Sequence, residues 1–284
     1  MPELPEIETI KQELEKLIKN KKIKSVDVNL KKQVKPPLKK FLKIVTGAEI
    51  RKIKRRAKTL IFTLDNNKHL VFHLKMTGQL IYKGKKGKLA GGGHPIKQQL
   101  DNLPNKYSHI IFNFTDSSKL FFNDTRQFGW VKVVTADELE RINNNFGPEP
   151  LDINFEKFKK LFNKKSKPIK PLLMDQSLLA GIGNIYAQEA CFCAGVRPTK
   201  PSGKISDKQL KKLFNCLQKI LKLAILKKGT SANNYIDAFG RKGSMQPYLK
   251  VYGRAGKKCK KCKKILKQIK QGGRTTVYCP NCQK

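Results

Sequence analysis

Apolar residues Ile7, Ile10, Leu14, Leu17 and Ile18 recur at three- and four-residue spacing among polar ones, which predicts an amphipathic helix of about four turns. From Ile23 to Val134 the period changes to two. Segments "TLIFTL", "HLVFHLKM", "SHIIFNF", "KLFF" and "WVKVV" alternate with turns such as "DNN" and "TDSS", so this half reads as mainly antiparallel strands with a helix laid against them. Residues 83 to 106, rich in Gly and Lys, interrupt the pattern and read as a long loop.

"NNNFGPEPLD" reads as a polar, Pro- and Gly-containing hinge. Helical spacing follows at Phe155, Phe158, Leu161 and Phe162, then from Leu172 to Cys193 with a break at "GIG", then from Leu210 to Leu226. From about residue 245 the chain reads as a small strand-rich module organised by cysteine.

Charge narrows the choice of partner. The 61 Lys+Arg against 21 Asp+Glu leave a formal net charge of +40, a field that draws polyanions, of which nucleic acid is the commonest in a cytoplasm. Lys is spread through every segment, so part of this excess belongs to solvated faces. No apolar run approaches membrane-spanning length and nothing resembles a signal peptide, so a cytoplasmic location away from membranes is expected.

Seven cysteines divide into two groups. Cys259 and Cys262, sixteen residues, then Cys279 and Cys282 form two CxxC knuckles whose four thiolates fill a tetrahedral zinc site, leaving no position for water. One structural Zn2+ is expected. Cys191, Cys193 and Cys216 lie in apolar stretches and read as small core residues, with a disulfide disfavoured in a reducing compartment. Between the knuckles, Gly272 and Gly273 mark a hairpin turn that presents Arg274 to a phosphate or to solvent.

Two stretches carry candidate chemistry. "GIGNIYAQEA" matches neither the P-loop nor the dinucleotide fingerprint; it suits either a helix starting at Asn184 with its N–H groups toward an anion, or a plain interhelical turn. "MPELPEIETI" places Pro2 where removal of Met1 would leave a secondary amine, and an α-amino group titrates near ~8, so an appreciable fraction is neutral and nucleophilic at pH 7. Glu3 and Glu6 share a helical face near that amine. A helix start favours ionised Glu, whereas a proton donor must hold its proton, so burial or a bound polyanion has to reverse the order. Pro and Glu also simply favour helix starts.

"PELPEIE", "RRAK", "HLKMTG", "NDTRQFG", "GIGNIYAQEA", "VYGRAG" and the four-Cys module, in this order, resemble formamidopyrimidine-DNA glycosylase nearly end to end. The resemblance implies an α+β chain: an N-terminal two-layer β-sandwich flanked by helices over 1–135, a hinge linker over 136–150, a helix–two-turn–helix domain over 151–244 and a zinc finger over 245–284. It implies a monomer that takes double-stranded damaged DNA in the cleft between the halves. The activity implied is that of a bifunctional glycosylase and AP lyase, excising 8-oxoguanine and formamidopyrimidines and then performing β,δ-elimination.

By matching motif, Pro2 is the nucleophile at deoxyribose C1′, Glu3 the proton donor that helps open the sugar, and Glu6 its support. Lys58 grips the phosphate beside the lesion and helps keep the amine neutral. Met76, Arg126 and Phe128 match the trio that fills the gap left by a flipped-out nucleotide. By pattern alone, Met76 shares parity with Leu70, Phe72 and Leu74, and Phe128 sits among aromatic residues, so both read as packing residues. His73 has the opposite parity to Phe72 and should face away from the sheet core; in the family it contacts phosphate, as do Asn184, Tyr252 and Arg274.

Several features depart from the family pattern. Gln127 stands where a basic residue is usual, and the 83–106 loop is long. "NNYIDAFGRKGSMQPY" falls where relatives close a loop over the damaged base, with Lys164, Lys165 and Lys167 either approaching DNA or solvated. The endonuclease VIII branch prefers oxidised pyrimidines, but "PELPE" and the trio resemble the purine branch. A DNA-binding module without chemistry is the competing reading, against which the acidic start weighs.

Overall fold

The computed structural model describes residues 1–85, 89–93, 102–163, 165–230 and 244–284. They form two compact units, Met1–Asn144 with Lys227–Ser244, and Asn145–Leu226 with Met245–Lys284. Among the described residues no helix is long and apolar enough to cross a membrane.

The first unit is a sandwich. Helix α1 (Leu4–Ile18) is followed by β1 (Ile23–Val28), β2 (Val34–Lys35), α2 (Leu38–Val45), β3 (Ile50–Arg56), β4 (Thr59–Leu64), β5 (His69–His73), β6 (Gly78–Lys83), β7 (Leu89–Gly93), β8 (Ser108–Phe114), β9 (Lys119–Asp124), β10 (Trp130–Val134) and α3 (Ala136–Asn144). One sheet runs β1-β8-β9-β6-β7 and the other β2-β10-β5-β4-β3. All pairings are antiparallel except the short β10–β2 contact. Alternate residues of both sheets, among them Leu60, Phe62, Phe72, Ile110, Phe112 and Phe122, meet in one core. The predicted α1 stripe, Ile7, Ile10, Leu14 and Ile18, closes that core, and α2 adds Phe41 and Val45. At roughly 1.5–3 kcal/mol per fully buried aliphatic side chain, this stripe is what holds α1 on the sandwich.

The glycine run at 91–93, read from sequence as loop, instead lies in β7, an edge strand paired to β6. A Cβ at Gly92 would stand 2.3 Å from Ile10 Cγ1. The absent side chain is what allows α1 to approach the strand, so glycine here serves packing, not chain freedom. Residues 86–88 and 94–101 of the expected loop lie outside the described residues.

The second unit packs α4 (Phe155–Phe162), α5 (Ile169–Met174), α6 (Asn184–Ala194) and α7 (Asp207–Leu226) around a core that includes Phe158, Leu173, Tyr186, Leu213 and Leu217. The stretch after Asn144 packs onto this unit, Gly147 N–H bonding Gln176 O at 2.8 Å and Ala180 N–H bonding Pro148 O at 3.0 Å. Strands β11 (Lys267–Gln271) and β12 (Arg274–Tyr278) form a hairpin whose two turn residues, Gly272 and Gly273, have φ of +56° and +71°, values that match a two-residue primed turn.

One expectation is corrected outright. Cys193 and Cys216 are joined by a disulfide between α6 and α7, and Cys193 is exposed. A reducing compartment bears on how readily a bridge is opened, whereas the packing of α6 on α7 decides which cysteines meet. Only Cys191 is the buried thiol expected, its titration pushed up to about 12, chiefly by burial.

Candidate active site and nucleic-acid contacts

Glu3 is the N-cap of α1 and its backbone N–H bonds Glu6 Oε2 at 2.9 Å. The other oxygen of Glu6 accepts Thr230 N–H at 2.8 Å, so one carboxylate ties the start of α1 to a segment distant in sequence. Lys228 Nζ strengthens the same junction by reaching Glu13 Oε1 at 2.9 Å. Pro2 is buried just ahead of the helix, with Glu3 and Glu6 only 4% and 2% exposed.

Lys58 sits between β3 and β4, after Ala57 at φ +52°, and is 6% exposed. Its neighbour Thr59 pairs in register with His73 at the end of β5. His73 faces away from the Phe72 core, its ring 5.6 Å from that of Trp130. Burial first, then the charges of Lys75 and Lys58, lower its titration to about 3. At neutral pH the imidazole is uncharged, and because Nδ1 accepts Lys75 N–H at 2.9 Å, the proton belongs on Nε2, where it can be donated outward.

Met76 is not a core residue. β5 ends at His73 and the chain then turns, with Lys75 at φ +50° and Gly78 N–H bonding Leu74 O at 2.8 Å, so the strand parity that aligned Met76 with Phe72 no longer applies. Met76 ends half-buried. Phe128, read by pattern as packing, is 54% exposed and lies under the Arg126 guanidinium at 4.9 Å.

The turn carrying both is organised by Asp124, to which sequence reasoning assigned no role. Its carboxylate accepts Gly129 N–H at 2.7 Å, Arg126 N–H at 3.3 Å and Gln33 Nε2 at 3.2 Å, and bonds the Thr77 hydroxyl. The signal was the acid closing β9 inside "NDTRQFG": a buried carboxylate before an exposed turn must find N–H partners, and those of the turn are nearest. Gln127 is exposed at φ +57°.

In the second unit Asn184 opens α6, its Nδ2 donating to Thr275 O at 3.1 Å. Gln188, one turn on, donates to the same carbonyl at 3.1 Å and accepts Val277 N–H at 2.7 Å. Lys170 Nζ adds a bond to Thr276 Oγ1 at 2.7 Å. The hairpin is thus fixed to α6 and α5, and Arg274 projects exposed at its tip. Tyr252 is held through its backbone: Glu189 accepts the N–H groups of Lys250, Val251 and Tyr252, each at 2.9 Å. Glu189 was also unassigned; burial raises its titration, opposed by those three bonds. Lys165 is half-buried and Lys167 exposed, while Lys164 and residues 233–243 of the loop expected to cover the base lie outside the described residues.

The Sγ atoms of Cys259, Cys262, Cys279 and Cys282 all lie within 4.8 Å of one another. Two of the separations are 4.0 Å for Cys259–Cys282 and 3.4 Å for Cys262–Cys279. A tetrahedral zinc at ~2.3 Å from each sulfur sets S···S at about 3.8 Å, so the four thiolates fit that ion. Backbone N–H groups of Lys261 and Cys282 point to Cys259 Sγ and Cys279 Sγ, each at 3.4 Å, the support such ligands need.

Known proteins resemble this chain along most of its length. Residues 1–131 match the formamidopyrimidine-DNA glycosylase N-terminal domain, 146–235 its H2TH domain, and 256–284 the zinc finger found in FPG and IleRS. The chain is 40% identical over 287 residues to a formamidopyrimidine-DNA glycosylase of Carboxydothermus hydrogenoformans, covering all of both chains. It is 36% identical over 289 residues to that of Pelotomaculum thermopropionicum, covering 100% of this chain and 99% of the relative. Among solved structures, the wild-type Lactococcus lactis protein in complex with N7-benzyl-Fapy-dG DNA superposes with TM-score 0.88 at 33% identity over 100% of each chain. The Lactococcus lactis complex with DNA containing an abasic site gives 0.88 at 32% identity over 99% of each.

Proposed function

The chain belongs to the formamidopyrimidine-DNA glycosylase family, and from that membership we propose that Pro2, once Met1 is removed, is the nucleophile of a bifunctional DNA glycosylase and AP lyase. The enzyme acts in base excision repair on double-stranded damaged DNA, with one structural zinc. Its proposed substrates are 8-oxoguanine and formamidopyrimidines, and its proposed location the cytoplasm, on DNA.

The observation that carries this reading is the burial of three charged side chains, Glu3, Glu6 and Lys58, in the unit that begins with Pro2. Burying charge is costly, so a fold retains it where the groups are paired or used. Glu6 is accounted for, since both of its oxygens accept backbone N–H groups. That occupation suits Glu6 to hold the α1 start still; Glu3, whose side chain accepts the Glu6 backbone N–H in the same capping box, is proposed as the proton donor because it directly follows Pro2.

In the proposed reaction the Pro2 nitrogen attacks C1′, the C1′–N bond to the base breaks, and the base leaves with a proton equivalent to the one the Pro2 nitrogen loses. Glu3 delivers a proton to O4′ as the ring opens, and the nitrogen and C1′ form an iminium. Loss of the C2′ proton then expels the 3′ phosphate, and a second elimination expels the 5′ phosphate, returning the amine on hydrolysis. Lys58 and neutral His73 are proposed to hold phosphates, the first by charge and the second by its Nε2–H. Met76, Arg126 and Phe128 are proposed to enter the gap left by the flipped nucleotide, where the exposed Arg126–Phe128 pair is compatible with insertion. Asn184, Tyr252 and Arg274 are proposed phosphate contacts of the helical and zinc domains at 151–244 and 245–284, with catalysis assigned to 1–135 and a linker to 136–150.

The test is borohydride trapping on a duplex with an abasic site. A covalent adduct mapping to Pro2 is expected, together with its loss in Pro2→Gly. Tight binding without any nicking would favour a binder that lacks chemistry, and a crosslink on another residue would overturn the assignment of the nucleophile.

A further inference from the structure

We propose that the Cys193–Cys216 bridge and the lysines around it form a thiol–disulfide exchange site for a small anionic thiol. The bridge joins α6 to α7 and borders a recess of about 480 Å³ lined by Lys208, Lys211, Lys212, Asn215 and Lys219. These five lie at three- and four-residue spacing, so they share the outward face of α7, at whose buried margin Cys216 sits. All five are exposed, and no lining residue is acidic. Asp207, at the start of the same helix, is engaged by Lys159.

Three features combine here. Cys193 is exposed while Cys216 is buried, so attack is directed at the Cys193 sulfur. The lysine field draws a negatively charged thiol toward the exposed sulfur. The recess beside the sulfurs has room for the thiol's body.

The exchange is balanced by the thiol alone. Its thiolate attacks Cys193 Sγ, forming a mixed disulfide as the Cys193–Cys216 bond breaks and Cys216 leaves as thiolate. A second thiolate attacks the thiol-derived sulfur of that mixed disulfide, releasing the small disulfide and the Cys193 thiolate. Both cysteines then take protons from solvent. The protein is reduced by two electrons and two thiols are oxidised; the reverse reaction, with the small disulfide as oxidant, restores the bridge.

The experiment uses the full chain, purified without reductant and mapped by non-reducing mass spectrometry, which should recover the 193–216 bridged peptide. Opening rates are then compared for 2-mercaptoethanesulfonate, 2-mercaptoethanol and cysteamine at matched thiolate concentration. The anionic thiol should outpace the cationic one by ~10-fold or more at low salt, within the range expected of charge steering. That ratio should collapse toward unity in K208Q/K212Q/K219Q, and also at 1 M salt, where screening acts within about 3 Å. Circular dichroism establishes that the variant folds. Free thiols at both positions even after treatment with the oxidised small disulfide, or a ratio indifferent to the lysines and to salt, would overturn the proposal.

Discussion

Asp124 holds Gly129 by a 2.7 Å bond from the glycine N–H to Oδ2, and with it the turn that carries Arg126 and Phe128. The same carboxylate bonds the hydroxyl of Thr77, which follows Met76, so one buried acid organises the stretches bearing all three proposed gap-filling residues.

Asp124→Ala should therefore do more than remove a surface charge. It strands buried N–H donors, each worth roughly 1–3 kcal/mol when left unsatisfied, and a loss of about 3 kcal/mol in urea unfolding is expected. Affinity for a duplex with an abasic site should fall with it, whereas Gln127→Ala, at an exposed position, should leave stability within about 0.5 kcal/mol of the parent.

Gly229→Ala should be destabilising for two reasons. Gly229 has φ of +79°, and an added Cβ would stand 2.8 Å from both Cγ and Oε1 of Glu6. Glu6 cannot swing aside without giving up its bonds to Glu3 and Thr230. We expect a cost of about 2 kcal/mol, beyond the ~1 kcal/mol that a left-handed alanine carries alone. Adduct formation should fall along with stability, since the start of α1 is displaced.

His73 sets a pH dependence. Its folded value, about 3, is below the ordinary 6.5, so the unfolded chain binds the proton first as pH falls. Stability from this residue is intact above about 6.5 and declines progressively as the pH is lowered toward about 3. His73→Gln should flatten that part of the profile in urea titrations at several pH values. An unchanged slope would show that the imidazole does not stay neutral in the fold.

Zinc removal should act on DNA binding through position, not charge. Chelation, or Cys262→Ser, should release the β11–β12 hairpin from its metal anchor and leave Arg274 without a fixed direction. A tenfold or greater loss of duplex affinity is expected, about 1.4 kcal/mol, read by fluorescence anisotropy at fixed salt. Unchanged affinity after verified loss of zinc would refute the link.

Local pattern was enough for much of this chain. The spacing of Cys259, Cys262, Cys279 and Cys282 implied the metal, because CxxC knuckles bring thiolates together over short loops. The stripe from Ile7 to Ile18 fixed α1 and its buried face, because a helix repeats every 3.6 residues wherever it packs. The ordered motifs identified the family.

Tertiary structure decided what periodicity cannot encode. Met76 left the core because a left-handed residue at Lys75 ended the strand, and parity has no meaning past a turn. The glycines at 91–93 became part of an edge strand paired to β6, with Ile10 packed where a side chain at Gly92 would stand. Glu6 met Thr230 across 224 residues and Cys193 met Cys216 across 23, pairings set by how helices and strands dock. Sequence spacing reports which face of an element is apolar; which partner that face finds depends on closing the chain, and only the folded molecule contains that information.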